Sequence, residues 1–206
     1  MIDWQRAMHE LSPTEIAAAV TTLVNVWLLM KGNIWTWAWG VVSVVLYGIV
    51  FYQSRLWSST GLQVLYYLPM QFYGWWVWKR QGPMHDDDLP VTRLTTQGRL
   101  LWLAAVVPLA LLLGWGMGFT GAEQSMMDAF VTTLGITGLY LQSHKKIEHW
   151  YCWVVVNSVY GFWILPRQEL YVSTLLYWIL LWMAVQGWRE WARAMTLQDA
   201  RVAQSR

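Results

Sequence analysis

Charge is confined to the gaps between seven long stretches of this 206-residue chain, with Asp128 as the one exception. The stretches cover about 16–30, 35–53, 61–78, 100–118, 125–142, 150–165 and 171–188. Each is close to the roughly 17–25 mostly apolar residues that carry a helix across a bilayer. In hydrocarbon every backbone N–H and C=O needs an internal partner, so consecutive stretches of this kind are helices. The expected fold is an all-α integral membrane protein with seven transmembrane helices. Ser12-Pro13-Thr14-Glu15 opens the first, a capping-box pattern with Pro in the first turn. Asp128 falls in the first turn of the fifth, where the helix dipole favours an anion. Pro166 closes the sixth.

Composition narrows the function. Charged residues make up 13% of the chain, about half the usual share in soluble domains. A net charge of +2 leaves no nucleic-acid footprint. A single cysteine, Cys152, excludes an internal disulfide and a Cys-based metal site. The N-terminus lacks the basic and apolar regions of a signal peptide. No lysine lies mid-span, as a retinal Schiff base requires, and no mid-span carboxylate is present for proton or sodium coupling. His144, Glu148 and His149 cluster at a membrane edge, spaced as a solvated helix end and not as a metal site. No cofactor and no enzymatic activity are expected.

Seven spans put Arg6, Arg55 and Arg167 on one side and the other eleven basic residues on the opposite side. The positive-inside rule makes the richer side cytoplasmic, with the N-terminus outside and the C-terminus inside.

The chain also matches itself at a displacement of 113 residues: Trp37 falls on Trp150, Tyr47-Gly48 on Tyr160-Gly161, Gly74-Trp75 on Gly187-Trp188, and Trp78 on Trp191. Spans 1–3 land on spans 5–7 in order. Repeating three helices in one orientation requires one extra crossing, and span 4 supplies it. The expected organisation is 3+1+3, two parallel three-helix bundles joined by a linker helix, a plan used by transporters with a site between the repeats. The N-terminal segment is 1–14, the first bundle 15–78, the polar linker 79–99 (with Asp86-Asp87-Asp88), the linker helix 100–118, the second bundle 125–192 and the tail 193–206.

The candidate site is neutral and aromatic. Trp150, Trp153, Asn157 and Tyr160 share one face of span 6. An amide that deep needs a partner, which either a ligand or a neighbouring helix provides. Gln63, Tyr67, Gln71 and Trp75 step by four along span 3, and the same two readings apply. Pro69 lies inside this span and is expected to kink it or loosen its backbone bonding. The corresponding face of span 7 (Leu176, Leu180, Ala184) has no amides, so the bundles differ in polarity. Tyr177 lies near the outer end of span 7, facing a path through the protein. Trp75, Trp78, Trp188 and Trp191, beside Lys79, Arg80, Arg189 and Arg193, read as aromatic-belt anchors.

Glu148-His149-Trp150-Tyr151-Cys152-Trp153 followed by Val154-Val155-Val156-Asn157 resembles the Glu-x-Trp-x-x-Trp-x-x-x-Asn stretch of the Pnu vitamin transporters. Gly61-Leu62-Gln63-Val64 and Tyr73-Gly74-Trp75-Trp76-Val77-Trp78 resemble the same family, and the resemblance extends over residues 15–192. It implies a fold similar to the SWEET sugar transporters. It also implies a facilitator in the bacterial inner membrane that takes up nicotinamide riboside, trapped by phosphorylation inside the cell. Another vitamin such as thiamine is the alternative substrate, and a heptahelical receptor or membrane enzyme the alternative of another class. The implied partners are the small-molecule substrate, the lipid bilayer and further copies of the chain, as a trimer. By the resemblance Trp150 and Trp153 stack on the flat cationic ring, Asn157 bonds the carboxamide or a ribose hydroxyl, and Gln63 and Gln71 bond the ribose. Ser43 stands where relatives can carry Asn.

Overall fold

The computed structural model describes residues 12–53, 57–80, 90–118, 125–167 and 171–204. The N-terminal segment up to residue 11, Arg6, Arg55, the run Asp86-Asp87-Asp88 and Arg206 lie outside these residues. The described residues form seven helices. Helix α1 is Pro13–Met30 and α2 is Thr36–Gln53. Helix α3 runs continuously through Trp57–Leu62, Gln63–Tyr67 and Leu68–Arg80. Then come α4 (Thr96–Gly118) and α5 (Ser125–Ser143). Helix α6 joins His149–Val159, Tyr160–Ile164 and Leu165–Arg167, so it passes Pro166 by one residue instead of stopping before it. Helix α7, Tyr171–Gln204, is 34 residues long. At 1.5 Å per residue that is about 50 Å, well beyond the hydrocarbon thickness. The stretch expected as a tail is therefore a helical extension of α7.

Helices pack in a ring: α1 on α2, α2 on α3, α3 on α5, α5 on α6, α6 on α7, and α7 back on α1. Helix α4 stands outside the ring and packs on α5 alone among the described helices. Its Leu100, Leu101, Leu103, Leu111, Leu112 and Trp115 are each more than half exposed. Water tolerates no apolar face of that extent on a soluble monomer, and lipid does. By length and hydropathy alone only α1, α2 and α4 qualify as membrane crossings. Helices α3 and α6 are each divided by a π-helical turn into shorter segments, and α5 and α7 carry polar or aromatic residues that lower their hydropathy. Their outward residues are apolar or aromatic all the same: Val64, Leu65, Phe72 and Trp76 on α3, Phe162 and Trp163 on α6, and Leu175, Ile179 and Trp182 on α7.

The sequence repeat is a structural repeat down to its loops. Helix α1 starts with the expected capping box, in which Ser12 Oγ accepts from the Glu15 N–H at 3.1 Å and the Glu15 carboxylate accepts from the Ser12 N–H at 2.8 Å. It ends in a Schellman turn: the Gly32 N–H donates to Leu29 O (2.9 Å) and the Asn33 N–H to Leu28 O (3.0 Å), with Gly32 at φ +65. Helix α5 ends in the same turn at the repeat positions. There the Lys145 N–H donates to Gln142 O (3.0 Å) and the Lys146 N–H to Leu141 O (2.9 Å), with Lys145 at φ +48. A left-handed lysine is strained by about 1–2 kcal/mol relative to glycine. Its buried ammonium lies 4.4 Å from the centre of the Trp78 ring, a cation–π contact that offsets the strain.

Above these turns sit two matching tryptophan packings. Trp37 and Trp150 are 0% and 1% exposed. The Trp37 ring occupies the space a Cβ of Gly74 would fill, and the Trp150 ring the space a Cβ of Gly187 would fill. Each ring meets a second tryptophan edge-on: Trp37 meets Trp78 at 5.4 Å and 89°, and Trp150 meets Trp191 at 5.7 Å and 88°. Trp78 and Trp191 then approach one another to 6.2 Å, joining the four rings in a row across the two halves. Each also crosses to the opposite half with its N–H. Trp78 Nε1 donates to Gln142 O on α5 (3.4 Å), and Trp191 Nε1 to Leu29 O on α1 (3.0 Å). This corrects the expectation for Trp78 and Trp191. At 4% and 2% exposure they are core residues joining the halves and not interface anchors. The belt pattern failed because both residues are pulled inward by a turn carbonyl that accepts one Schellman hydrogen bond and has a second lone pair to offer.

The loop side of the molecule is tied together as the odd span count requires. Thr92 pairs in parallel with Lys146. Glu148 accepts from the Leu94 N–H and forms an ion pair with Arg99 at 3.0 Å. Lys31 pairs with Glu190 at 3.1 Å. The α1–α2 loop, the approach to α4, the α5–α6 loop and the end of α7 therefore share one end of the molecule.

Gly74→Ala and Gly187→Ala each force a methyl into an indole with no room to retreat. Each is expected to destabilise the protein by about 1–3 kcal/mol, read as a lowered thermal unfolding midpoint in detergent. Equal losses are expected from the two substitutions, and an unchanged midpoint for either shows that its ring is loosely held.

Candidate functional site

The helix ring encloses a cavity of about 340 Å³, within the range of small-molecule sites. All six ring helices line it and α4 contributes nothing. All seven expected site residues, Gln63, Tyr67, Gln71, Trp150, Trp153, Asn157 and Tyr177, are on its wall. Among the described residues that wall holds no Asp, Glu, Lys, Arg or His.

Local helix geometry brings these side chains inward. Gln63–Tyr67 and Tyr160–Ile164 are single π-helical turns in α3 and α6. In the first, the Leu68 N–H reaches back to Gln63 O, and in the second the Leu165 N–H reaches back to Tyr160 O. A proline stands two residues after the end of each turn, Pro69 and Pro166. A proline ring clashes with the carbonyl four residues earlier, and widening that turn relieves the clash. This is the loosened backbone expected around Pro69, and it recurs in α6. The widened turns carry Gln63, Tyr67 and Tyr160 to the cavity, as π-turns often do at functional sites.

The polar groups fall into two sets. One is already engaged. The Trp153 N–H donates to Gln142 Oε1 at 3.3 Å. Ser43 and Thr22 hydroxyls lie 2.6 Å apart, and Thr22 gives its own proton to Ala18 O, so Ser43 is the donor of that pair. Ser43 thus faces the cavity from α2 as a lone-pair acceptor. The Asn25 Nδ2 donates to Thr36 O at 3.0 Å, and Thr36 Oγ1 donates back to Asn25 O at 3.0 Å. The other set is open: the amides of Gln63, Gln71 and Asn157 make no hydrogen bond to any described residue. Gln71 and Asn157 are each 6% exposed, so water reaches them only through the cavity.

The aromatic wall is graded. Trp150 borders the cavity but is wedged on Gly187 and forms its floor. Trp153 is half-buried and presents to the space above. Towards the opposite end Tyr160 and Tyr177 lie 4.8 Å apart at 38°, with Tyr47, the repeat counterpart of Tyr160, also on the wall. Tyr66 Oη donates to Ile136 O at 2.7 Å and ties α3 to α5. His149 and Glu148 are used structurally: His149 Nδ1 bonds Lys146 O at 2.7 Å, and Glu148 holds Leu94 and Arg99.

Sequence reading missed Asn25, Gly40 and Tyr47. Asn25 was detectable by the test that found Asn157, an amide deep in an apolar span. Gly40 carried no signal by itself, because its role lies in what it leaves room for.

Residues 12–193 match the family model described as nicotinamide mononucleotide transporter. The chain belongs to this family. It is 27% identical over 218 residues to the nicotinamide riboside transporter PnuC of Escherichia coli (strain K12), covering 94% of this chain and 90% of that one. With the protein of the same name from Neisseria mucosa it shares 27% identity over 186 residues, 85% of this chain and 70% of the relative. A crystal structure of the vitamin B3 transporter PnuC superposes with a TM-score of 0.72 at 26% identity, covering 87% of this chain and 80% of that chain. The protein is thus a multi-pass membrane transporter.

Removing an unpaired buried amide leaves a fold unharmed or strengthens it, whereas removing half of a helix–helix hydrogen bond costs about 1–3 kcal/mol. Asn157→Leu and Gln71→Leu are expected to leave the ligand-free unfolding midpoint unchanged or raised. A midpoint lowered by several degrees in either variant would assign that amide to helix packing.

Proposed function

We propose that the protein is a facilitator for nicotinamide riboside. The supporting observation is the cavity wall, which is aromatic, carries three open amides and has no charged side chain among the described residues. The family is described by a mononucleotide and the curated relatives are named for the riboside. The wall supports the riboside on physical grounds. A phosphate taken out of water needs a cation or several donors in compensation, and this wall offers no cation. A riboside with one delocalised positive charge needs an aromatic face instead. In this reading Trp153 stacks on the ring above the floor made by Trp150. Asn157, Gln63 and Gln71 hydrogen-bond the carboxamide and ribose, and Tyr67 and Tyr177 close the space from the other end.

Transport proceeds by rocking of two bundles, 15–78 and 125–192, tethered by the linker 79–99 and the helix 100–118. The Trp78 and Trp191 bonds to the opposite half are the contacts that separate when the loop side opens. Lacking a carboxylate in the wall, the cycle runs without ion coupling, and phosphorylation inside the cell retains the substrate. The loop-rich end is cytoplasmic and the N-terminus outside, in a bacterial inner membrane. Assembly as a trimer of this chain fits the same reading.

Nicotinamide riboside is expected to raise the unfolding midpoint of the purified protein, with nicotinamide mononucleotide giving little or no shift. Stabilisation by thiamine alone moves the assignment to another vitamin. Trp153→Ala and Asn157→Ala are expected to abolish uptake while remaining folded. Uptake into liposomes is expected to equilibrate regardless of imposed proton or sodium gradients, and gradient-driven accumulation contradicts the facilitator mechanism.

A further inference from the structure

The two halves of the cavity share a backbone plan but exchange side-chain volume at three repeat positions. Gly40 on α2 is the counterpart of Trp153 on α6, Asn25 on α1 of Gly138 on α5, and Gln71 on α3 of Ala184 on α7. A Cβ on Gly40 would collide with Gln71 Oε1 and come within 2.6 Å of Asn25 Nδ2. A Cβ on Gly138 would meet Cys152 Cβ at 3.1 Å and the Trp153 ring at 3.5 Å. One half therefore fills this level with an indole backed by small residues. The other fills it with two amides, and the missing side chain of Gly40 is what admits them.

We infer that Gly40 is the specificity-determining position of this cavity: it opens a niche for the paired amides of Asn25 and Gln71, which takes a planar primary carboxamide across from Trp153. The inference rests on the substrate occupying this cavity. The Asn25 side chain is oriented by Thr36, a residue 0% exposed at the start of α2: its Nδ2 donates to Thr36 O at 3.0 Å, and Thr36 Oγ1 lies 3.4 Å from its Oδ1. One Nδ2 hydrogen goes to Thr36 O and the other is left to donate. Gln71, 6% exposed and without a hydrogen bond to any described residue, supplies the acceptor. A primary carboxamide carries one acceptor and two donor hydrogens in a plane and satisfies both groups. A carboxylate carries only acceptors and a charge. It faces the Gln71 oxygen with no donor and enters a wall that has no cation to compensate its desolvation.

The experiment compares two ligands that differ only in this group, nicotinamide riboside and the riboside of nicotinic acid. Dissociation constants are measured by calorimetry on the purified full chain, with the ligand-free unfolding midpoint recorded for every variant. The wild type is expected to favour the carboxamide. Gly40→Ala is expected to weaken the carboxamide ligand by about tenfold, the equivalent of one buried hydrogen bond, and the carboxylate ligand by less than about threefold, so that the preference collapses. Asn25→Leu and Gln71→Leu are expected to collapse it in the same way. Should Gly40→Ala not fold, Gln71→Leu carries the comparison, because that side chain holds no other residue in place. Folded variants that keep the wild-type preference overturn the niche and leave the substrate assignment standing. A wild type that binds neither riboside overturns the substrate assignment, and the niche with it.

Discussion

Everything in this transporter hangs on an indole laid against a bare stretch of backbone, made twice. Trp37 on Gly74 and Trp150 on Gly187 bring neighbouring helices as close as a flat ring permits. Burying such a ring removes roughly 150–250 Å² from solvent, and both rings give up their N–H partner to achieve it, since neither Nε1 has one among the described residues. An unmade buried hydrogen bond costs about 1–3 kcal/mol, so the packing gain has to exceed that at both places. Hydrocarbon supplies little hydrophobic drive between helices, which leaves close van der Waals contact with small residues as the main source of association.

The same contact sets how the halves meet. Each buried indole presents its edge to a second tryptophan, and that tryptophan reaches across to a helix end in the other half. The acceptors are carbonyls of the Schellman turns, which accept one hydrogen bond within the turn and take the indole N–H on their second lone pair. Trp78 and Trp191 thus satisfy the helix ends of one half with donors from the other. The row of four rings is a floor beneath the cavity and a seam between the two halves. Gln142 belongs to both, because its backbone accepts from Trp78 and its side chain from Trp153.

On this symmetric frame the cavity is deliberately unsymmetrical in chemistry. An ideal duplicated site would present the same group from both sides, which suits no ligand that has an aromatic end and a polar end. Exchange of Trp153 for Gly40, and of Asn25 and Gln71 for Gly138 and Ala184, puts an indole on one side of the cavity and two amides on the other. The frame is unaffected because each exchange conserves space: a large residue is matched by small neighbours, and a missing one by two amides.

The sequence by itself determined the helices, their number and order, and the existence of the repeat, because charge-free length and a constant displacement are local properties of the chain. Four-residue steps also put Trp153 with Asn157 on one face and Gln63 with Gln71 on another, while only the family resemblance implied that the two faces share a site. Tertiary structure decided what periodicity leaves open. Trp78 and Trp191 share the spacing and basic neighbours of membrane anchors, and only the turn of the facing helix made them core. Asn157 suits a helix partner and a ligand equally by its position in the sequence, and the packed ring places its amide at the cavity without a hydrogen bond to any described residue. Gly40 has no pattern at all, and its part in the site exists only as the space two other helices fill. Faces are written in the order of residues along one helix, but vacancy and partnership belong to pairs of helices, and packing alone decides those.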